Sequence, residues 1–298
     1  MQFTWYVPQA YPKIPLGKFL HQQGLSRTLF GKTKYHGGSI YVNHHQRYSN
    51  YPIYPGDQIT IAMAPERDSE NLPPVFKPLQ ILFEDDHYLI VSKPAGLPSI
   101  PSRNYRHDSV ANRVKGHLIQ VAHESRAVHV ITRLDQDTSG CMLFAKHSFA
   151  HALMAKQLHS QTLEKTYLAI AKGQFTKPQG SIDQPIGRTA PYSMQRMVHF
   201  QGKKALTKYW VVQQYPKGAL LRVALLTGRT HQIRVHLDWL GHPLFGDPMY
   251  GPQDDLLDRQ ALHCVRLRFL HPFTNRIVDV SAPLPADMGH LLTTLAKS

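Results

Sequence analysis

The chain has 298 residues, of which 42% are apolar, enough for one large domain or for one domain with a small appendage. Lys and Arg outnumber Asp and Glu by 34 to 20, and the net charge of +14 favours a polyanionic partner such as nucleic acid. The two distant cysteines and the lack of any apolar run approaching about 18 residues argue against a disulfide scaffold and a membrane span, so a soluble, cytoplasmic protein is expected.

The N-terminal segment is predicted to be a small module in which helix precedes strand. Leu16, Phe19 and Leu20 have helical spacing. Residues 39–46 and 54–62 look like short strands around a Gly-Asp turn. The sequence therefore predicts a compact α/β unit ahead of the main domain.

This N-terminal unit resembles the S4-type RNA-binding domain, in which a helix pair precedes a Val-Asn turn and a Gly-Asp turn. Here those turns are Val42-Asn43 and Gly56-Asp57. The chain departs from that pattern at Lys13-Ile14-Pro15, where the family prefers a basic opening, and at His44, where it has glycine. The resemblance implies a module that binds RNA.

A linker is predicted over residues 64–78, which mix proline with charge and lack a periodic apolar pattern. The domain boundary is expected near Pro73. We therefore expect an S4-like module of residues 1–70 and a main domain of residues 71–298.

The main domain is predicted to alternate strands with a few helices. Helices are expected over residues 108–121, with Asp108 or Ser109 as the N-cap, from about Ser148, and over 229–241. Residues 79–101 are expected to form two strands joined by an Asp-Asp turn and followed by a Pro/Gly loop. Further strand-like runs occupy residues 127–131, 141–146, 165–173, 205–215, 219–227, 261–272 and 275–283. This pattern predicts an α+β fold with a mostly antiparallel, mixed sheet flanked by helices.

The loop from Val130 to Gly140, VITRLDQDTSG, carries candidate catalytic residues just beyond a strand end. A sheet holds the backbone rigid there while side chains project into a cleft, which makes Asp135 and Asp137 candidates. Two carboxylates would suit a glycosidase, although such pairs often come from separate strands. For Asp137 a turn that returns the chain to the next strand is favoured. Arg133 is either a surface cation or the partner of one of these carboxylates.

The segment 227–251, TGRTHQIRVHLDWLGHPLFGDPMYG, has more polar groups than an amphipathic helix needs. His231 and Arg234 share a helical face, and Asp238 lies four residues beyond Arg234, where an intrahelical ion pair would account for that arginine. No H-E-x-x-H or Cys/His cluster occurs, so no metal is expected. The FGKT at 30–33 lacks the first glycine of a Walker loop, so no nucleotide cofactor is expected either.

Together and in this order, the segments resemble the RluA-type family of RNA pseudouridine synthases. EDDHYLIVSKPAGLPSIP is similar to its first motif, RLDQDTSG to its catalytic motif and KTYLAIAKG to its Lys-x-Tyr strand. GKKALTKYW, the segment 227–251 and LHCVRLRFLHPFT match later motifs. The resemblance covers roughly residues 79–290 and implies the pseudouridine synthase fold. Charge and periodicity alone indicate only a basic α+β protein with an acidic loop.

The resemblance implies roles for single residues. It places the nucleophilic aspartate at Asp135, the active-site tyrosine at Tyr167 and the aspartate-pairing arginine at Arg234. Arg133 matches the arginine that fills the base stack once the uridine has left it, but Thr132 stands where the family usually has histidine. The further residues expected to bind substrate are Thr138, Arg229, His231 and Gln232.

These roles are chemically coherent. A uridine inside folded RNA must be everted, at a cost of a few kcal/mol, before its glycosidic bond is accessible. Arg133 would offset that cost by stacking on neighbouring bases, and Tyr167 would offer the uracil an aromatic face. Arg234 would stabilise the ionised Asp135 carboxylate.

The implied function is the isomerisation of specific uridines in structured ribosomal or transfer RNA to pseudouridine, by an aspartate-dependent exchange of a C–N for a C–C glycosidic bond. The expected partner is structured RNA, the expected state is a monomer, and no cofactor is expected. Two alternatives stay open: a non-catalytic RNA-binding or RNA-folding factor on the same scaffold, and a hydrolase that uses Asp135 and Asp137. The residues do not decide whether Asp135 attacks the base, attacks the sugar or abstracts a proton.

Overall fold

A computed structural model describes residues 1–35, 37–66, 68–102 and 105–297. The N-terminal elements are β1 (Gln2–Tyr6), β2 (Ile14–Pro15), α1 (Leu16–Gln22), α2 (Arg27–Tyr35), β3 (Ser39–Val42), β4 (His45–Gln46), β5 (Pro52–Ile53) and β6 (Gln58–Ala62). Strands β1, β6, β3 and β4 form a four-stranded sheet in that order, and β2 pairs with β5.

The main domain begins with β7 (Gln80–Glu84), β8 (Tyr88–Lys93), α3 (Val110–Gln120), β9 (His129–Val130), β10 (Ser139–Ala145), α4 (Ser148–His159) and β11 (Glu164–Lys172). It continues with β12 (Gln179–Asp183), β13 (Ile186–Arg188), β14 (Arg196–Val198), β15 (Leu206–Gln214) and β16 (Gly218–Leu225). The last elements are α5 (Gln232–Trp239), β17 (Leu262–Leu270), β18 (Ile277–Ser281) and α6 (Ala286–Ala296).

A ten-stranded mixed sheet dominates the main domain and confirms the predicted α+β class. Its main path runs β12-β15-β16-β11-β17-β10-β8-β7, with β18 paired to β17 and β9 paired to β10. Neighbouring strands are antiparallel except β10 and β17, which run parallel. None of the helices in the described part of the chain is both long and apolar enough to cross a bilayer.

Strand β10 is the centre of the core, and every one of its residues is buried. Because side chains alternate along a strand, it fills two cores at once. Cys141 and Leu143 pack in the cluster that contains Leu237 of α5, whereas Met142 and Phe144 pack in the cluster that contains α3. The loop that leads into β10 is therefore attached to the most deeply buried strand of the protein.

The predicted helix over 108–121 is observed as α3, and its N-cap is Ser109, whose side chain accepts a hydrogen bond from the Asn112 amide. Helix α6 was not predicted, although Met288, Leu291 and Leu295 have helical spacing and are buried. Strand β1 and the short strands β12 to β14 were also missed.

The N-terminal module shares its core with the main domain. Its buried residues, among them Leu20 and Ile61, cluster with Phe149 of α4. Phe3 of β1 packs edge-on against Phe149 at a centroid distance of 5.0 Å and stacks on Phe273 at 5.6 Å. The segment predicted as a linker is tied down as well, because the Glu66 carboxylate accepts a hydrogen bond from the Ser148 amide.

A glycine at the start of β10 allows the close approach of β17. Gly140 has φ of 113°, and a Cβ there would lie 2.2 Å from the Cys264 carbonyl oxygen. Gly140→Ala should therefore lower the free energy of unfolding by about 2 kcal/mol or more, measured by denaturant titration. Gly289→Ala is the matched control, because a Cβ on that α6 glycine meets no atom within 4 Å and alanine favours helix. Equal stability of the two variants would contradict this account.

Candidate active site

A cleft of about 520 Å³ opens beside the loop that precedes β10. Its size lies within the range of small-molecule sites. The lining includes Asp135, Tyr167, Arg234 and the other substrate-binding residues predicted from the sequence, Arg133, Thr138, Arg229, His231 and Gln232. Chain segments up to 164 residues apart in sequence, from Pro98 to Leu262, thus meet at one place.

The backbone around Asp135 is held from both sides. The Ser99 hydroxyl accepts a hydrogen bond from the Leu134 amide at 3.0 Å and donates one to the Leu134 carbonyl at 2.6 Å. The Thr138 amide donates to the Asp135 carbonyl at 3.1 Å, which closes a turn containing Asp137. This turn agrees with the favoured interpretation of Asp137.

Lys93, at the end of β8, also holds this loop through hydrogen bonds. Its buried ammonium donates to the Gln136 carbonyl at 2.5 Å and to the Pro94 carbonyl at 2.8 Å. Burial lowers the pKa of Lys93 to about 7, against the opposing charges of Asp137 and Asp135. Lys93 was not predicted as a site residue, although it lies in the quoted first motif. Its hydrogen bonds hold the loop at Gln136.

Thr132 extends the strand pairing of β10. Its buried hydroxyl accepts a hydrogen bond from the Leu143 amide at 2.9 Å, and its own amide donates to the Leu143 carbonyl at 3.2 Å. Arg133, the next residue, is exposed at the rim of the cleft. The threonine thus anchors the backbone from which Arg133 projects.

Arg234 is fixed by a carboxylate that the sequence analysis did not identify. Its Nε and Nη2 donate to the two carboxylate oxygens of Asp247 at 2.7 and 2.8 Å, and the Asp247 side chain is completely buried. The considered pairing with Asp238 is therefore wrong. Asp247 also accepts hydrogen bonds from the Met249 and Tyr250 amides, so it caps a turn as well. The only feature of the sequence that pointed to Asp247 was the large number of polar residues in the segment 227–251.

One guanidinium nitrogen of Arg234 remains for the candidate nucleophile. Nη1 lies 3.4 Å from the Asp135 carboxylate, whose side chain is 27% exposed to the cleft. Burial alone would lower the pKa of Arg234, but the hydrogen bonds and charge of Asp247, and then the charge of Asp135, raise it above its ordinary value. A permanent cation therefore faces Asp135 from a fixed direction.

Tyr167 of β11 is a buried aromatic wall of the cleft. Burial raises the pKa of its phenol well above the ordinary value, and the nearby Cys264 and Asp135 act in the same direction. The ring is thus neutral at physiological pH. A neutral ring can stack on a planar base and donate a hydrogen bond, but it cannot act as an anion.

The start of α5 arranges three of the predicted binding residues. His231 adopts a left-handed backbone with φ of 57°, and its Nδ1 lies 3.0 Å from the Tyr250 hydroxyl. Burial lowers the pKa of His231, with Asp135 opposing. Gln232 is buried and hydrogen-bonds the Arg229 amide and the Leu206 carbonyl, so it holds the loop together. Arg229 is exposed at the cleft.

Two further residues, Thr138 and Lys165, contribute to the lining. Thr138 is buried, and its hydroxyl accepts a hydrogen bond from Gln260 at 3.2 Å, which makes it part of the wall. Lys165, which the sequence analysis did not select, lines the cleft from the first residue of the Lys-x-Tyr motif. Burial lowers the pKa of its ammonium.

Comparisons with known proteins identify relatives of the chain. A family model described as RNA pseudouridylate synthase matches residues 87–239. An uncharacterized RNA pseudouridine synthase of Bacillus subtilis, YhcT, is 42% identical over 257 residues, which cover 86% of this chain and 84% of that protein. Ribosomal large subunit pseudouridine synthase D of Nitrosomonas europaea is 38% identical, over 82% of this chain and 73% of that protein.

A solved structure supports the fold. The human protein RNA Pseudouridylate Synthase Domain Containing 4 superposes with a TM-score of 0.61, at 23% identity, over 72% of this chain and 92% of its own. The chain belongs to the RNA pseudouridine synthase family. It is an enzyme that isomerises uridine to pseudouridine, and a non-catalytic RNA-binding factor is not favoured.

Asp247→Asn should reduce turnover by about 100-fold, because the freed Arg234 no longer points at Asp135. The change should also lower the free energy of unfolding by about 3 kcal/mol, since it leaves a buried charge without its partner. Steady-state kinetics would separate a fall in kcat from a change in KM, and a positioning role predicts that kcat falls most.

Asp238→Asn is the control for Asp247→Asn. It removes the carboxylate four residues after Arg234, which forms no ion pair with that arginine within the described structure. Turnover should stay within about twofold of wild type. A larger loss in Asp238→Asn than in Asp247→Asn would refute the assigned pairing.

Proposed function

We propose that Asp135 performs the isomerisation, and that the cleft accepts one everted uridine of a structured RNA. The observation that carries this proposal is the Asp135 carboxylate 3.4 Å from the fixed Arg234 guanidinium, in the same cleft as the neutral ring of Tyr167. Eversion exposes the glycosidic bond of the uridine. The cleft then presents to it the anionic Asp135, the cationic Arg234 and the aromatic ring of Tyr167.

Each residue has a distinct task in the proposed reaction. Asp135 drives cleavage of the bond between uracil N1 and ribose C1′, the uracil turns within the cleft, and C5 is joined to C1′. The proton released from C5 leaves as N1 takes one up, so the product is an isomer of the substrate. Arg234 stabilises the Asp135 carboxylate, and Tyr167 supports the uracil by stacking. Arg133 occupies the gap left in the base stack.

We propose structured ribosomal RNA as the substrate. The support is the name of several relatives that are 35–38% identical, ribosomal large subunit pseudouridine synthase D. Transfer RNA is the second candidate substrate. If it is the substrate, pseudouridine should form in transfer RNA, which is much smaller than ribosomal RNA. We propose that a monomer is active, because residues of a single chain line the cleft. We also propose that the protein acts in the cytoplasm. The buried Cys141 and Cys264 are free thiols, which a reducing compartment keeps reduced.

We propose that the N-terminal module is S4-like and contributes to RNA binding. Its Val-Asn and Gly-Asp turns are linked, because the Asn43 amide donates to the Asp57 carboxylate at 2.7 Å and accepts from the Gln58 amide at 2.9 Å. These two hydrogen bonds hold the Val-Asn and Gly-Asp turns together.

Asp135→Asn should abolish pseudouridine formation while leaving RNA affinity nearly unchanged, because it removes one carboxylate and little volume. The assay incubates the purified protein with total RNA from cells that lack its gene, and pseudouridine is mapped by sequencing. Full activity in Asp135→Asn, or no pseudouridine with the wild-type protein, would refute the proposal. Sites in large ribosomal RNA or in transfer RNA would identify the substrate directly.

Asp137→Asn is the matched control and also tests the hydrolase alternative. Asp137 lies in the same turn, and its carbonyl accepts a hydrogen bond from Arg259 at 3.2 Å. The synthase proposal expects activity within about fivefold of wild type, since only the turn is disturbed. A hydrolase that uses both carboxylates requires complete loss.

A further inference from the structure

A hairpin near the cleft presents aromatic side chains to solvent. It comprises residues 186–204, with the strands β13 and β14, and is called the hairpin arm below. Tyr192 is 95% exposed and Phe200 is 81% exposed, and Met194 between them is 68% exposed. Single exposed apolar residues are ordinary, but three large ones within nine positions indicate an interaction surface.

The exposure of Tyr192 comes with backbone strain. The Ser193 amide donates to the Ala190 carbonyl at 3.1 Å, which closes a turn with Pro191 second and Tyr192 third. Tyr192 has φ of 66°, a conformation that favours glycine or asparagine at the third position. The tyrosine at position 192 therefore has a strained backbone and an exposed ring. Neither the strain nor the exposed ring stabilises the fold.

The arm lies in a strongly basic part of the chain. Between Gln184 and Leu237 the sequence has nine Lys or Arg and no Asp or Glu. On the arm itself Arg188, Lys203 and Lys204 are exposed. Phe200 stacks on His199 with a centroid distance of 4.7 Å, so two flat rings form one platform.

The arm is joined to the catalytic residues by hydrogen bonds. The Arg196 amide donates to the Tyr250 hydroxyl at 2.8 Å, and that hydroxyl contacts His231. The Tyr250 ring lies 5.0 Å from the Arg234 guanidinium. At the other end of the arm, Arg229 Nε donates to the Lys204 carbonyl at 2.9 Å. The arm is thus a fixed extension of the cleft rim.

We propose that the hairpin arm docks the RNA next to the everted uridine. Tyr192 and Phe200 stack on unpaired bases, while Arg188, Lys203 and Lys204 contact phosphates. Aromatic rings among cations with no carboxylate match single-stranded or looped RNA, whose bases stack and whose backbone is anionic. The inference rests on the proposed function, since it names a second contact for the same substrate.

The test compares variants that separate ring from backbone. Tyr192→Gly removes the ring and relieves the strain, so it should raise KM about tenfold for in vitro transcribed large-subunit ribosomal RNA, with kcat within about twofold. Phe200→Ala should have a similar effect. Tyr192→Phe keeps the ring and should behave like wild type. Thermal unfolding of Tyr192→Gly should show equal or higher stability, which excludes misfolding as the cause.

Binding of the same RNA transcript, measured by filter retention across a salt series, tests the cations. Replacing Lys203 and Lys204 by Gln should weaken RNA binding. The slope of log affinity against log salt concentration should become less steep, by an amount equivalent to about two phosphate contacts. Lys297→Gln, which removes an exposed cation from the C-terminal end, should leave both unchanged.

The outcomes distinguish this inference from the proposed function. If Tyr192→Gly and Phe200→Ala keep the wild-type KM and affinity while Asp135→Asn is inactive, the hairpin arm is not an RNA surface and a protein partner becomes the alternative. Absence of pseudouridine with the wild-type protein overturns the proposed function, and the binding series still decides whether the arm contacts RNA.

Discussion

The buried ion pair between Arg234 and Asp247 is the interaction on which the site depends. A guanidinium in the interior is tolerated only when its donors are satisfied, and Asp247 occupies two of them with a bidentate geometry. The third direction is then fixed, and it points at Asp135. The arginine cannot leave Asp135 without breaking the pair behind it. The cleft therefore keeps its charge arrangement before any substrate arrives, which is the condition for electrostatic catalysis.

A second constraint acts on Asp135 from the opposite side. The fully buried β10 anchors the loop at one end, and Ser99 and Lys93 hold its carbonyl groups in the middle. Lys93 is the last residue of β8 and Ser99 follows that strand, so both lie outside the loop in sequence. The rear of the site is thus rigid and buried, whereas Arg133 and Arg229 are exposed at its front, where RNA has to enter.

The sequence predicts the parts of this structure that depend on local pattern. Period-two runs predicted most of the long strands, and apolar spacing predicted α3, α4 and α5. The resemblance supplied Asp135, Tyr167 and Arg234, which the structure brings into one cleft. Asp247 was missed because its role depends on a tertiary contact, and the Arg234-Asp238 spacing offered a local partner instead. Strands β13 and β14 were missed because a strand of three residues is too short to show a period of two. The core that the N-terminal module shares with Phe149 of the main domain was not predicted either, because the composition of the linker suggested two separate units.

Thr132 stands where the resemblance implies a histidine, and its side chain has a structural role. Its hydroxyl continues the hydrogen bonding of β10 by accepting from the Leu143 amide, a task that needs a short β-branched side chain at a buried position. The backbone at Arg133 is therefore fixed by the sheet, while the Arg133 side chain has solvent around it and no large neighbour at 132 to orient it. Asp135 is held separately, through Leu134 and the turn to Thr138. The residue at position 132 and the loop at Asp135 are thus anchored by separate hydrogen bonds, so the side chain at 132 has no direct part in holding the Asp135 backbone.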